Sequence, residues 1–516
     1  MARGQGVGGG LLGYVQGVIG ALESIFGNPT YCLCFPNNLL EIAMGIFGTL
    51  LGKAAAPALA SLLCWCVVRR AALYVRLRHL GGPWWSGLTH WPHSKAIISP
   101  NCHEWYADIN ERYANSLKGL IARIAPGILV TSSPEVWAHV NRHPGYKRSD
   151  WYYHACRIEY QRDNVFSQTD NEKHEKRRKQ MAPGYSGREN LDLEPTIDQR
   201  LEELLGLMRS KYLSTDSKVT PVDLAKKIQY FTLDVISSVG LGKAFGMLRT
   251  DSDVDDYLKS TEEGLSAISV ACAIGISWMA QSPIIGKFIA PSPTDKNGFG
   301  KMIAACFRYV DERTEKPTDE RSDMLASFIR HGLNGDELKT EALEQIIAGS
   351  DTTAAAIRGT LLQIMTNPRV YAKLQHEIDE AVRAGNAPKL GEGIITLGQA
   401  KKLPYLQAVI RESLRIRPPV LNIFSRDVPP GGDAIEVKGE TYLLPGGVCV
   451  GYSGYAMHRS QVTYGVDSKA FRPERWFETD PDKLASMIQT NDLIFGHGAL
   501  QTLEHVVVLS AVKLQY

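Results

Sequence analysis

The run EALEQIIAGSDTTAAAIRGTLLQIM, Glu341 to Met365, constrains the fold more than any other stretch. Its apolar residues recur at steps of three and four, the period of a helix. Most of it is suited to burial. Its middle holds Gly349, Asp351 and Thr352. A glycine inside a helix costs roughly 1 kcal/mol in propensity and lets another group approach the backbone closely. Asp351 and Thr352 are polar, and buried polar groups need partners. Read alone, the same residues also fit a solvated face with a threonine bonded back to its own helix.

From about Glu104 to Ala384 the pattern stays mostly helical, as in DQRLEELLGLMRSKYL, with GILVTS a short strand-like exception. After Pro418 it changes to short alternating or apolar pieces around Lys438-Gly439 and Pro445-Gly446, which read as hairpins. No internal repeat or long linker interrupts the chain. Its 516 residues have room for one large domain or two to three ordinary ones. The pattern predicts one, mainly α with a smaller β part (α+β).

Ahead of that domain, Ala54 to Val68 carries no charge, and the apolar GIFGTLLG precedes it with only Lys53 between. Together, about Ala43 to Val68, they are long enough for a bilayer, which needs roughly 20 residues. Arg69, Arg70, Arg76 and Arg78 follow, and the positive-inside rule places the chain beyond them in the cytosol. HLGGPWWSG, His79 to Gly87, reads as a hinge. The expected division is an N-terminal segment (1–38), a membrane anchor with its basic flank (39–80), a Gly/Pro hinge (81–93) and a catalytic domain (94–516). Lysine plus arginine total 57 against 55 acids, net +2, which gives no reason to expect nucleic acid as a partner. The nine cysteines are too few for a disulfide scaffold, and none has zinc-site spacing.

Three further motifs follow the long helix in order. In RESLRIRPP, Glu412 and Arg415 lie three apart on one helix face. In FRPERWF, Arg475 is placed to join them in a charge cluster; three unrelated surface charges would read the same way. FGHG, Phe495 to Gly498, is a turn-like pair of glycines after an apolar run.

The ordered set resembles the cytochrome P450 haem-thiolate monooxygenases, most of all membrane-anchored filamentous-fungal members. AGSDTT is similar to their distal helix, ESLR to their Glu-x-x-Arg pair, FRPERW to their arginine-bearing meander and FGHG to the opening of their haem loop. The resemblance runs from about Leu39 to Gly498. It implies the cytochrome P450 fold and haem b as cofactor, with Phe495 and Gly498 in the haem loop. Asp351 and Thr352 would relay protons for O–O cleavage. Gly349 would leave room for oxygen and substrate. Glu412, Arg415 and Arg475 would lock the proximal side. In NEKHEKRRKQMAP, His174 and Arg178 match positions that contact haem propionates, although a solvated basic helix fits the same residues. Arg426 in FSRDVPPGG matches another propionate-binding arginine, whose planar donors pair carboxylates bidentately. The stretch around DWYYHACRIEYQRDNVFSQ would face substrate.

The haem loop departs from the family pattern. Two, four and six positions past its glycine the family has a basic residue, the axial cysteine and a second glycine. Counted from Gly498, this chain has Leu500, Thr502 and Glu504. Cysteine thiolate pushes electron density onto iron; a threonine hydroxyl is not ionised near neutral pH. His497 and His505 flank the place without occupying it. The residues after Glu504 are too few for the family's closing helix and hairpin, so the end of the chain is expected to be an altered or truncated reading of the gene. The expectation is a monooxygenase that inserts one atom of O2 into a small organic substrate of fungal secondary metabolism. An NADPH-cytochrome P450 reductase would supply its electrons at the endoplasmic reticulum membrane, in contact with membrane lipid. As written, the chain is expected to be impaired. The alternative is a catalytically inactive, P450-like membrane protein that binds a small molecule or acts as a scaffold.

Overall fold

A computed structural model describes residues 37–114, 120–185, 189–315, 322–389 and 391–496, with only the backbone given for 37–56 and 114. The chain separates into two compact units, Met1–Arg69 and Arg70–Tyr516. Helix α1, Asn37–Arg76, contains Pro57. Its stretch Pro57–Arg76 is long and apolar enough to cross a membrane, with mean hydropathy 1.6 and none of it buried. Leu59, Leu62, Leu63, Trp65, Val67 and Val68 are each 55–67% exposed. Apolar exposure on that scale costs free energy in water, which makes the helix a candidate membrane anchor.

The second unit is mainly helical. Four of its helices matter to the site: α2 (Asn171–Tyr185), α3 (Leu224–Leu241), α4 (Gly335–Thr366) and α5 (Pro404–Ile416). Asp223 caps α3 by accepting from the Lys226 amide at 3.0 Å, and Gly242 ends it in the left-handed conformation. Almost every side chain of α3 is buried, so it is a core helix and not an amphipathic surface one. Helix α4 places Asp336 and Glu337 in its first turn, where the helix dipole favours acids. It stops at Thr366, two residues before Pro368. Phe231, Leu233 and Ile236 of α3 join Ala342, Leu343, Ile346 and Ile357 of α4 in the largest apolar core.

The β part is a five-stranded sheet with strand order β1-β2-β7-β4-β3. The strands are β1 (Ile121–Ala125), β2 (Ile128–Thr131), β3 (Lys147–Arg148), β4 (Arg426–Asp427) and β7 (Cys449–Tyr452). Only β2–β7 is parallel. Between β4 and β7, β5 (Asp433–Val437) and β6 (Glu440–Leu444) form the expected hairpin. Its turn is Lys438-Gly439, both at positive φ, as a two-residue hairpin loop requires. The Gly-Pro stretch before the domain lies against the sheet: Gly81 bridges to Ala122, and an added Cβ on Gly82 would meet the Arg123 carbonyl at 2.5 Å.

Helices α3 and α4 cross closely at Gly349. A Cβ built there would lie 2.8 Å from Ile236 Cδ1. The absent side chain would point at α3, so the glycine serves this helix crossing. In Gly349→Ala, the gain in helix propensity is expected to offset a small shift of Ile236 and leave stability within about 1 kcal/mol. Gly349→Val is expected to cost about 1–3 kcal/mol by overpacking. Denaturant midpoints of the two variants check this.

Candidate active site

Three groups of predicted residues meet in the second unit. The first lies in the middle of α4. Asp351 accepts a hydrogen bond from the Gln229 side chain of α3. Arg358 holds Gln229 from the other end, donating to its Oε1 at 2.8 Å. Burial raises the Asp351 carboxyl above the ordinary aspartate value, against the pull of Gln229 and Arg358. Thr352 Oγ1 donates back to the Ala348 carbonyl at 2.8 Å, while the partly buried Asp351 bonds to α3. The pair offers a carboxyl whose proton is held nearer neutrality and, beside it, a hydroxyl that both donates and accepts. That is the chemistry a proton relay needs.

The second group is cationic. Arg148 on β3 and Arg426 on β4 are direct cross-strand partners, and both are buried. Like charges in that position repel. Arg148 donates to the Val165 and Gln168 carbonyls at 3.2 and 3.3 Å. Arg426 donates to Tyr152 Oη at 2.6 Å and to the Phe424 carbonyl at 3.1 Å. The Nε atoms of both arginines and Nε1 of Trp137 are buried without a hydrogen-bond partner among the described residues. His174 on α2 lies close enough to Arg148, Arg178 and Arg426 to feel all three. Burial first, then these cations, lowers its pKa to about 3. Among the described residues, no carboxylate lies within ion-pair distance of Arg148, Arg178 or Arg426. Burial and Arg426 lower the Arg148 guanidinium to about 10. A buried charge without a partner is costly, so this cradle is complementary to an anionic group. The two propionates of haem fit that requirement. Arg148, Tyr152 and Trp137 belong to the cradle, and the sequence reading did not single them out.

The third group surrounds Glu412, which is fully buried on α5. Its carboxylate accepts from Arg415 Nε and Nη2 at 2.9 and 2.8 Å and from Arg475 Nε at 2.9 Å. The Trp476 indole and the Arg472 amide add bonds of 3.1 and 2.8 Å. Arg415 Nη1 then donates to the His458 and Ser468 carbonyls, each at 2.6 Å. Arg475 donates to the Tyr464 and Asp467 carbonyls at 2.8 and 3.0 Å. The three predicted charges are thus one buried cluster.

The chain leaves this cluster toward Phe495, which is buried with Ala356 of α4 and Leu414 of α5. His497, Gly498, Leu500, Thr502, Glu504 and His505 lie outside the described residues. Of the described cysteines, Cys156 is the one whose thiol senses both Arg148 and Glu344; burial pushes it well above the ordinary value, so it is a thiol and not a thiolate. Among the described residues, no cluster of histidine, cysteine and acidic side chains is placed to hold a metal ion.

Glu412→Gln is expected to destabilise the chain by about 3–5 kcal/mol, because it leaves two buried guanidiniums undercompensated; equilibrium unfolding in urea checks it. His458 is fully buried among Arg415 and Arg459, and burial lowers its pKa from 6.5 to about 3. The unfolded chain therefore binds a proton that the folded chain refuses. Stability contributed by the neutral ring is present above pH 6.5 and falls progressively from there toward pH 3. Thermal unfolding between pH 7.5 and 4.5 is expected to show a declining Tm, and His458→Gln is expected to flatten that decline.

The cytochrome P450 family model matches residues 82–494. A cytochrome P450 monooxygenase ABA1 of Pyricularia oryzae is 39% identical over 431 residues, 82% of each chain. The aba1 monooxygenase of Botryotinia fuckeliana is 37% identical over 397 residues, 76% of this chain and 75% of its own. The abl1 monooxygenase of Leptosphaeria maculans is 30% identical over 475 residues, 90% of this chain and 80% of its own. The chain belongs to the cytochrome P450 family, and with that membership come a monooxygenase activity, haem as cofactor and a redox partner as electron donor.

Proposed function

We propose that this chain is built to insert one oxygen atom from O2 into a small organic substrate of fungal secondary metabolism, and that it is impaired as written because Thr502 stands at the axial cysteine position. The observation that carries the first part is the cradle of buried Arg148, Arg426 and His174 with half-buried Arg178, which lacks a counter-ion among the described residues. Haem b bound there supplies oxidising power that no side chain has. The chain's own residues do the rest. The cradle orients the two carboxylates and holds them out of water, where charge-assisted bonds are strong. Asp351 and Thr352 pass protons along α4 toward reacting oxygen. Glu412, Arg415 and Arg475 would hold the proximal side rigid, and the FGHG motif of Phe495 and Gly498 would open the haem loop. Helix α1 anchors the chain in the endoplasmic reticulum membrane among its lipids. The second unit faces the cytosol, where an NADPH-cytochrome P450 reductase reaches it.

A second reading rests on Leu500, Thr502 and Glu504 together: a catalytically inactive P450-like membrane protein that keeps the fold to bind a small molecule or to act as a scaffold. Thiolate donation is what separates the two. The purified chain, reduced and exposed to carbon monoxide, is expected to lack the red-shifted Soret band of thiolate-ligated haem. The variant Leu500→Arg/Thr502→Cys/Glu504→Gly is expected to gain it. Sustained NADPH-fuelled hydroxylation by the chain bearing Thr502 would overturn the impairment. Failure of both proteins to take up haem would favour the second reading.

A further inference from the structure

Glu341 sits in the N-terminal part of α4 and is completely buried. Read from sequence, a glutamate in EALEQ belongs on a solvated face. Here its two oxygens serve different elements. Oε1 accepts from Arg177 Nη1 at 2.7 Å, and Oε2 accepts from the Val165 amide at 3.1 Å. Both connections lead to the cradle. Arg177 lies on α2 between His174 and Arg178, so its anchoring sets how α2 presents those two residues. Val165 carries the carbonyl that Arg148 donates to at 3.2 Å; one residue is thus held by Glu341 at its N–H and by Arg148 at its oxygen. Arg177 has a second acid, Glu337, at 2.8 Å, but that side chain is 64% exposed and reaches nothing else in the cradle.

Helix geometry adds a consequence. Glu341, Ala348 and Thr352 are separated by seven and four residues, so they share one stripe of α4. Glu341 and Thr352 are about 16 Å apart along the axis. The helix that carries the proton-relay pair also holds the cradle in place.

We propose that Glu341 is a positioning residue: it registers the cationic cradle against α4, and so sets where carboxylates bound by Arg148, Arg178 and His174 lie relative to Thr352. The inference rests on the reading of the cradle as the haem-propionate site. The requirement is for an acceptor at both oxygens. Glutamine has one acceptor oxygen and would turn an N–H donor toward either Val165 N–H or Arg177.

The test uses the full chain without haem, and hemin as the probe. In Glu341→Gln, amide hydrogen exchange at Val165 and across α2 is expected to rise about tenfold or more, and the Kd for hemin to weaken about tenfold. Exchange across α5 is expected to stay at the wild-type rate. Glu337→Gln is expected to leave both readouts unchanged, and Glu341→Asp, which keeps two acceptor oxygens, to recover part of the loss. Should Glu341→Gln fail to fold, Arg177→Lys keeps the charge but loses the guanidinium geometry, and is expected to move both readouts the same way. Faster exchange with unchanged hemin affinity would make Glu341 merely structural and overturn the proposal. Unchanged exchange would overturn the clamp itself. Failure to take up hemin by the wild-type chain and by Leu500→Arg/Thr502→Cys/Glu504→Gly alike would overturn the cradle reading, and the proposal's link to the cofactor with it.

Discussion

One carboxylate, that of Glu412, organises the half of the domain that leads to the haem loop. Five donors converge on it, from α5 itself and from residues 472–476. The two guanidiniums it neutralises then satisfy the carbonyls of His458, Tyr464, Asp467, Ser468 and Ala470. A buried ion cluster of this kind adds little net stability, since desolvation opposes attraction. What it provides is geometry. The chain from 458 to 477 has short turns and little regular structure of its own, and its carbonyls find partners only if both arginines are held in place. The backbone then runs on to Phe495, which closes against α4 and α5 beside Leu414.

The cradle follows the opposite logic. Glu412 and its arginines satisfy one another inside the protein. Arg148 and Arg426 are set side by side by the β3–β4 register and given only neutral acceptors among the described residues. Folding alone gains nothing from placing two like charges in a buried strand pair. Such an arrangement would become favourable in a complex with an anion, which is what supports the proposed propionate site. A satisfied cluster and an unsatisfied one, in the same domain, separate scaffold from site without reference to any relative.

Much of this was legible in the sequence, for a physical reason in each case. The period of three and four made α4 visible, and Lys438-Gly439 marked the hairpin turn. Glu412 and Arg415 share a helix face, so their pairing is local and readable; Arg475 was reached only because the motifs occur in a familiar order. Arg148 was not legible. Its strand is two residues long, too short for any alternation, and its partner Arg426 lies far along the chain. Gly349 was read correctly as a place of close approach, but the group that approaches is Ile236, and no pattern names a partner more than a hundred residues away. Glu341 was hidden for the same reason. Its burial depends on Arg177 and Val165, which arrive from other elements, and a single glutamate in a helical run reads as solvent-facing until they are in view.

These placements bear on what the departure at Thr502 does to the protein. The cradle draws on β3, β4 and α2; the relay pair and its clamp draw on α4; the proximal cluster draws on α5 and the segment after it. Among the described residues, the proximal cluster and the Glu341 clamp find their hydrogen-bond and charge partners before Phe495. On the reading proposed above, a change confined to residues 500, 502 and 504 would remove the donor chemistry while the ion cluster around Glu412 stays in place. In that reading, the charges that hold the described architecture together and the donor that would make it reactive are separate sets of residues.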